Sequence, residues 1–326
     1  VNTANTGGAT ITGAVDIGGT KIAVGLVDEQ GRLVAHSETP TAPGDGFDAA
    51  MKRIAGLFTS LGAGVRSATA APRYSVAGIG IGCTGPVDPR SGEIGEVDFL
   101  PGWRGRNPVA ELAKRYPVEV AMENDADAAV LGELAWGAGR ERRNLISVTV
   151  GTGIGGGIVL DGALYRGVGG SHPEVGHHVI DASGPECSCG SRGCWEACAR
   201  GPEIAARVLR EAPAHYPHRA GLTAQRVCEL AREGDAVATT EVAREGRYLG
   251  IGIANLVTLF VPEIIVLSGS VMESADLFLP IIRETVRSGC GLVPADSVQI
   301  TTSALGRHAG LIGAGAVWHH RRGALQ

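Results

Sequence analysis

I-T-G-A-V-D-I-G-G-T-K, residues 11–21, and the I-A-V-G-L-V-D that follows at 22–28 decide the fold of this chain. The first stretch reads as a buried strand ending at Asp16, the second as an apolar, β-branched strand, and Glu29-Gln30-Gly31 as a turn. Arg32–Glu38 then alternates as a third strand. Strands this close in sequence predict an antiparallel meander, with D-I-G-G-T-K joining its first two members. Working outward, Phe47–Leu61 has apolar residues at helical spacing. Val76–Gly82 is a short apolar strand that runs into C-T-G-P-V-D. Pro108–Arg115 predicts a helix with Asn107 as N-cap and Pro108 in the first helical position, and Val118–Met122 a further strand. The order β-β-β-α-β-α-β predicts a mixed sheet covered by helices.

A similar pattern restarts after Met122. Asp125–Trp136 is an alanine-rich helix, and Asn144–Val150 and Gly156–Leu160 are strands around the glycine loop Gly151–Gly157. Arg200–Tyr248 reads as helical, broken near Pro213–Pro217 and Gly234, and Val242–Leu259 as a long apolar helix. Glu263–Ser268 and Val298–Thr302 are strands. Ser274–Ser288 is a helix kinked or interrupted at Pro280, and Ala309–Trp318 a closing helix. Glycine loops after strands at corresponding places in the two halves predict two related lobes with a cleft between them. The expected organisation is a mobile tail over 1–10, an N-terminal α/β lobe over 11–122 and a C-terminal α/β lobe over 123–304. A closing helix within 305–326 is expected to pack back on the first lobe.

The chain has 326 residues, 44% of them hydrophobic, enough for two cores. Its net charge of −5 gives no electrostatic footprint for nucleic acid. No apolar run reaches the roughly 18 residues of a membrane-spanning helix, and the first residues show no signal-peptide pattern. Seven cysteines is an odd number, and Cys83, Cys198, Cys228 and Cys290 sit in apolar surroundings that suit buried thiols. A reducing cytoplasm is the expected location.

Four stretches carry candidate chemistry. In Asp16-Ile17-Gly18-Gly19-Thr20-Lys21 the glycines let backbone N–H groups approach a phosphate, Thr20 adds a hydroxyl, and Asp16 is placed to orient Mg²⁺ through water. A tight hairpin is the plain alternative. Gly151-Thr152-Gly153-Ile154-Gly155-Gly156-Gly157 looks like a dinucleotide fingerprint, but a strand follows where that fold needs a helix, so it reads as a second phosphate loop. In Glu123-Asn124-Asp125-Ala126-Asp127 a polar group leaves a strand and opens a helix. Capping accounts for one of these residues. Asp125 is then a candidate general base, Asn124 a holder of a neighbouring hydroxyl, and Asp127 a first-turn residue favoured by the helix dipole. Finally, His177 followed by Cys187, Cys189 and Cys194 offers one nitrogen and three sulfurs, the set of a closed structural Zn²⁺ site, bracketed by Glu174 and Glu196.

Together these residues resemble the ROK family, sugar kinases and related repressors of the two-lobed actin/hexokinase-like (ribonuclease H-like) ATPase fold. The resemblance runs from about Ile11 to the closing helix. It rests on D-I-G-G-T-K, G-C-T-G-P-V-D, E-N-D-A-D-A-A, G-T-G-I-G-G-G and the E-V-G-H…C-S-C-G-S-R-G-C-W-E block. It implies Asp125 as catalytic base and a hexose site of Gly85, Asn124, Asp125, Glu174, His177 and Glu196. It also implies ATP contacts from Asp16, Gly18, Gly19, Thr20, Lys21, Gly151, Thr152, Gly153 and Gly269, and Zn²⁺ on His177, Cys187, Cys189 and Cys194. Ser268 and Ser270 stand where the family often shows glycine. Ser171-His172-Pro173-Glu174 resembles the H-P-E of fructokinase-like members, whereas the cysteine spacing resembles glucokinases and N-acetylmannosamine kinases.

The resemblance implies an ATP-dependent sugar kinase with Mg²⁺, acting on the 6-OH of glucose, with N-acetylmannosamine, fructose and mannose as alternatives. Polyphosphate is the alternative donor. The expected state is a homo-oligomer, a dimer or tetramer, with no nucleic-acid or membrane partner. A sugar-sensing repressor of the same family would need a DNA-binding module ahead of Ile11, and only ten residues precede it here. A catalytically dead sugar-binding protein would not need Asp125 or the two glycine loops.

Overall fold

In the computed structural model of the protein, which describes residues 10–64, 74–216 and 221–323, the chain groups into two units. The first holds the described chain up to Arg140, the segment Arg166–His172 and the chain from His308 onward. The second holds Glu141–Tyr165 and Pro173–Arg307. Apart from Thr10, the expected tail lies outside the described residues, as do Pro217 and the last three residues of the 305–326 segment.

The meander forms the first unit's sheet: β1 (Ile11–Ile17), β2 (Lys21–Val27) and β3 (Leu33–Pro40) pair antiparallel in succession. After helix α1 (Phe47–Ser60) and the short β4 (Ala63–Gly64), β5 (Tyr74–Cys83) pairs parallel with β1. A two-stranded ribbon, β6 (Val87–Asp88) with β7 (Glu93–Ile94), leads to α2 (Pro108–Arg115), where Asn107 accepts from the Ala110 N–H at 2.8 Å as its N-cap. Strand β8 (Glu119–Asn124) pairs parallel with β5, and α3 (Asp125–Trp136) follows without a loop.

The alternation G-I-G-I-G in β5 has a packing reason. Ile79 and Ile81 are fully buried on the core side with Phe58. On the other side, a Cβ at Gly80 would come 1.8 Å from the Ala314 carbonyl oxygen, and one at Gly78 would meet the Trp318 ring. The closing helix Ala309–Arg321 therefore lies directly on the backbone of β5. Helix α3 approaches that helix as closely, through Ala128 against Gly313. This contact puts α3 in the first unit, past the 122/123 boundary read from sequence.

The second unit repeats the plan. Strands β9 (Leu145–Val150), β10 (Ile154–Leu160) and β11 (Ala163–Leu164) form an antiparallel meander. Three helices follow the cysteine-rich loop: α4 (Trp195–Ala199), α5 (Gly201–Glu211) and α6 (Ala224–Arg232). The 25-residue α7 (Ala236–Phe260) is next, its N-cap Asp235 accepting from the Ala238 N–H. Strand β12 (Ile264–Ser268) pairs parallel with β9, α8 (Ala275–Gly289) runs uninterrupted through Pro280, and β13 (Gln299–Thr302) pairs parallel with β12. The order β11-β10-β9-β12-β13 matches β3-β2-β1-β5-β8 in both neighbours and directions, so the two lobes expected from the glycine loops share one topology. The expected helical stretch from Arg200 to Tyr248 becomes three helices, and α7 begins earlier than its apolar face predicts.

The core of the second unit fixes α4. Trp195 is fully buried against α7, where Gly252 has no side chain to displace its ring. Below it Arg207 of α5 donates to Glu241 at 2.7 Å, to Glu245 and to the Cys198 carbonyl at the end of α4. Burial pushes the Glu245 carboxyl up to about 8 against the opposing pull of Arg207. Among the described residues no helix is long and apolar enough to cross a membrane.

Candidate active site

Because β1, β5 and β8 are parallel, their carboxyl ends lie side by side. The register aligns Asp16 with Gly82 and Glu123, and Ile17 with Cys83 and Asn124. Ligands of open α/β sheets bind beyond such ends. The D-I-G-G-T-K loop closes with Gly18 N–H donating to the Lys21 carbonyl at 2.9 Å, and Thr41 anchors it by donating its hydroxyl to the Gly18 carbonyl at 2.6 Å. Thr20 and Lys21 are exposed, and Lys21 forms a 2.9 Å ion pair with Glu38. Phe99, itself exposed, covers Gly19, where a Cβ would come 2.7 Å from the phenylalanine Cβ. Sequence reading gave no hint of this aromatic.

Asn124 is buried and works on both sides of the strand–helix junction. Its Oδ1 accepts from the Ala126 N–H at 2.9 Å, and its Nδ2 donates to the Gly85 carbonyl at 3.2 Å. One amide hydrogen and one lone pair remain in its bonding capacity. Asp125 opens α3, and its Oδ1 also accepts from Ala126. Dense surroundings, then the charge of Asp125, raise the Asp16 carboxyl to about 7, while Lys21 pulls it down. Burial and the same two acids push the Cys83 thiol well above its usual range. Two repelling carboxylates, Asp16 near the end of β1 and Asp125 at the head of α3, beside a glycine loop, fit a divalent cation that favours oxygen ligands.

In the second unit, β9 and β12 end together, Thr149 opposite Ser268. Their hydroxyls bond each other at 2.9 Å, so Ser268 serves the strand pair. Gly269 follows with a φ of 94°, and a Cβ there would come 2.3 Å from the Val150 carbonyl oxygen. Gly151 accepts through its carbonyl from Gly201 N–H, the start of α5, at 2.7 Å, which sets the positive end of that helix beside the loop. Thr152 is exposed. Gly153 has a use the sequence did not reveal. A Cβ there would lie 2.4 Å from Oε2 of Glu196, the same oxygen that accepts from the Ile154 N–H at 2.9 Å. The glycine loop thus holds a carboxylate of α4, one of the two that bracket the cysteines.

Glu174 is exposed and precedes a short turn, Val175–His177, in which His177 N–H donates to the Glu174 carbonyl at 3.0 Å. His177, Cys187, Cys189 and Cys194 converge, with one ligand atom from each lying within 4.8 Å of the others. His177 Nδ1 is 3.4 Å from Cys187 Sγ, and the Cys189 and Cys194 sulfurs are 3.6 Å apart. Ligands of tetrahedral zinc, with bonds of about 2.0–2.3 Å, sit at about these spacings. All seven cysteines are free thiols. Burial and the neighbouring Cys189 and Cys187 thiols push Cys194 up to about 12, a repulsion that a bound cation would remove. His178 points elsewhere: its Nδ1 donates to the Val175 carbonyl at 2.6 Å, and burial lowers its pKa.

The structure also shows a cluster that sequence reading left unassembled. Arg166 pairs with both Glu123 and Asp127, and His172 lies 2.9 Å from Asp127. Asp127 is wholly buried and ion-paired, which is more than the first-turn acid expected. Two further acids flanking Asn124 and Asp125 at the strand–helix junction were the available signal.

A repeated meander-plus-parallel sheet with a glycine loop in each copy defines an α/β fold of the actin/hexokinase-like class. The chain belongs to the ROK family, whose profile matches residues 12–321. It is 33% identical over 320 residues to a glucokinase of Thermotoga maritima, covering 95% of this chain and 97% of the relative. A ROK family glucokinase from Streptomyces griseus, crystallised with glucose and AMPPNP, superposes with a TM-score of 0.80 at 32% identity, over 94% of this chain and 98% of that one. A xylose repressor of Bacillus subtilis is 33% identical over 246 residues, which span 75% of this chain and 61% of the repressor.

Proposed function

We propose that the protein is an ATP-dependent glucose kinase that moves the γ-phosphoryl group to the 6-hydroxyl. The observation that carries this reading is Asp125: a carboxylate at the head of a helix, beyond the carboxyl ends of three parallel strands, whose charge is felt at Asp16 beside the glycine loop. Two supports come from relatives of similar length: a glucokinase matched over nearly the whole chain, and one crystallised with glucose and an ATP analogue.

Asp125 accepts the proton of the attacking hydroxyl. Phosphoryl transfer depends mainly on positioning and charge neutralisation, so a general base adds about 10²–10⁴-fold to the rate. Asn124, Glu174, His177, Glu196 and Gly85 hold the sugar. Asn124 does so with the donor and lone pair its capping role leaves over. Gly18, Gly19, Thr20, Lys21, Gly151, Thr152, Gly153 and Gly269 face the nucleotide. Asp16 would hold Mg²⁺ through water, and the ion would supply charge neutralisation at phosphate oxygens. His177, Cys187, Cys189 and Cys194 would hold Zn²⁺, which pins the loop between Glu174 and Glu196. With Nδ1 of His177 turned to the sulfurs, Nε2 is left for a sugar hydroxyl. Free thiols throughout suit a reducing cytoplasm.

The repressor reading shares the fold and part of the sequence, but sugar sensing needs no phosphoryl transfer. Hexose-dependent ADP release by the purified protein tests the kinase reading. The nucleotide loop has its own test. A Cβ at Gly151 would make only ordinary contact, 3.6 Å from the Ser270 hydroxyl, so Gly151→Val should fold. Calorimetry should show ATP affinity reduced at least tenfold with glucose affinity within about twofold. Intact ATP binding would remove the loop from the nucleotide site. Gly153→Val is the poorer variant, because its side chain would strike Glu196.

A further inference from the structure

The junction that carries Asn124 and Asp125 is flanked by buried ion pairs. Glu123, the penultimate residue of β8, and Asp127, in the first turn of α3, stand on either side of it, and their side chains are nearly or wholly buried. Arg166 donates one nitrogen of its guanidinium to each carboxylate, Nη2 to Glu123 and Nη1 to Asp127. His172 closes on the other oxygen of Asp127 at 2.9 Å. Arg166 and His172 are the two ends of Arg166–His172, the short segment that leaves the second unit's sequence and packs with the first. Burial raises the Glu123 carboxyl, and Arg166, Arg321 and His172 pull it back.

We propose that Arg166 is a positioning residue for phosphoryl transfer, a clamp that fixes the strand-to-helix turn and with it the catalytic base. This rests on the kinase reading and deepens it. A planar guanidinium with two divergent nitrogens can bridge two carboxylates, whereas an ammonium is a single point charge. Without the clamp, Glu123 and Asp127 would stay buried without the cation that bridges them, and removing one partner of a buried ion pair strongly destabilises its surroundings. The first effect falls on the α3 N-terminus, where Ala126 N–H is held by Asn124 and Asp125. Asp125 then loses its fixed aim while the ATP loops keep theirs.

The test compares Arg166→Met, which keeps length and removes charge, with Arg166→Lys. In Arg166→Met, amide hydrogen exchange at Ala126, Asp127 and Ala128 should accelerate at least tenfold, with β1 unchanged. Its kcat should fall at least tenfold at nearly constant KM for ATP, and Arg166→Lys should recover only part of the loss. Adding Asp127→Asn to Arg166→Met should restore some of the protection by removing the stranded charge. Unchanged exchange at the junction overturns the clamp whatever the enzyme's activity. Accelerated exchange with unaltered kcat also overturns it, since the clamp would then be structural only. Should the wild type show no kinase activity, the kinase reading fails on its own, while the exchange arm still decides whether Arg166 holds the turn.

Discussion

Asp125→Asn should lower kcat by about two to four orders of magnitude and change glucose affinity little. The substitution keeps the shape of the side chain, and the amide oxygen can still accept from Ala126 as the carboxylate does. It removes the proton acceptor and the charge felt at Asp16. Loss of that repulsion should let Asp16 ionise more readily, so the variant should not lose stability. Steady-state kinetics with calorimetric glucose titration separates the roles: a kcat fall with constant affinity marks a group acting in the transition state. A near-wild-type kcat would mean that another group takes the proton.

Cys189→Ser should cut kcat/KM for glucose by at least tenfold while leaving ATP binding and most secondary structure in place. A serine hydroxyl is a poor zinc ligand, and a closed site missing one thiolate holds its ion weakly. Cys189 is the most exposed of the four converging residues, so the change disturbs little packing. What it loosens is the loop that ends at Cys194, the residue before α4, and Glu196 is the second residue of that helix. Trp195 stays seated against Gly252 of α7, so the core of the second unit should hold. The purified wild type should contain about one zinc per chain. Full activity in protein free of metal after zinc-replete expression would end the zinc-loop reading.

Much of this was legible where a single local rule acts. Asn107 caps α2 as a polar residue before a proline should, and Asp125–Trp136 is the helix its alanine-rich run predicts. The cysteine spacing and one histidine sufficed to gather four ligands of two types. The remainder depended on distant partners. Helix α4 is too short to show a period, and Trp195 holds it in place through Gly252. The glycines of β5 read as an ordinary apolar strand, since the helix that needs their bare backbone lies at the far end of the chain. Gly153 resembled a phosphate glycine, and nothing local reveals that Glu196 fills the space beside it. Arg166 is one arginine among many until the fold sets it between two acids. The place of α3 depends on a distant partner in the same way: it groups with the first sheet through the closing helix.

The most direct measurement is a coupled ADP-release assay on the purified, zinc-replete protein with ATP and Mg²⁺, run over glucose, mannose, fructose, N-acetylmannosamine and xylose. The account predicts ADP release that requires a hexose, is fastest with glucose, and yields sugar phosphorylated at the 6-hydroxyl. Sugar binding with no sugar-dependent ADP release from any member of the panel would contradict it.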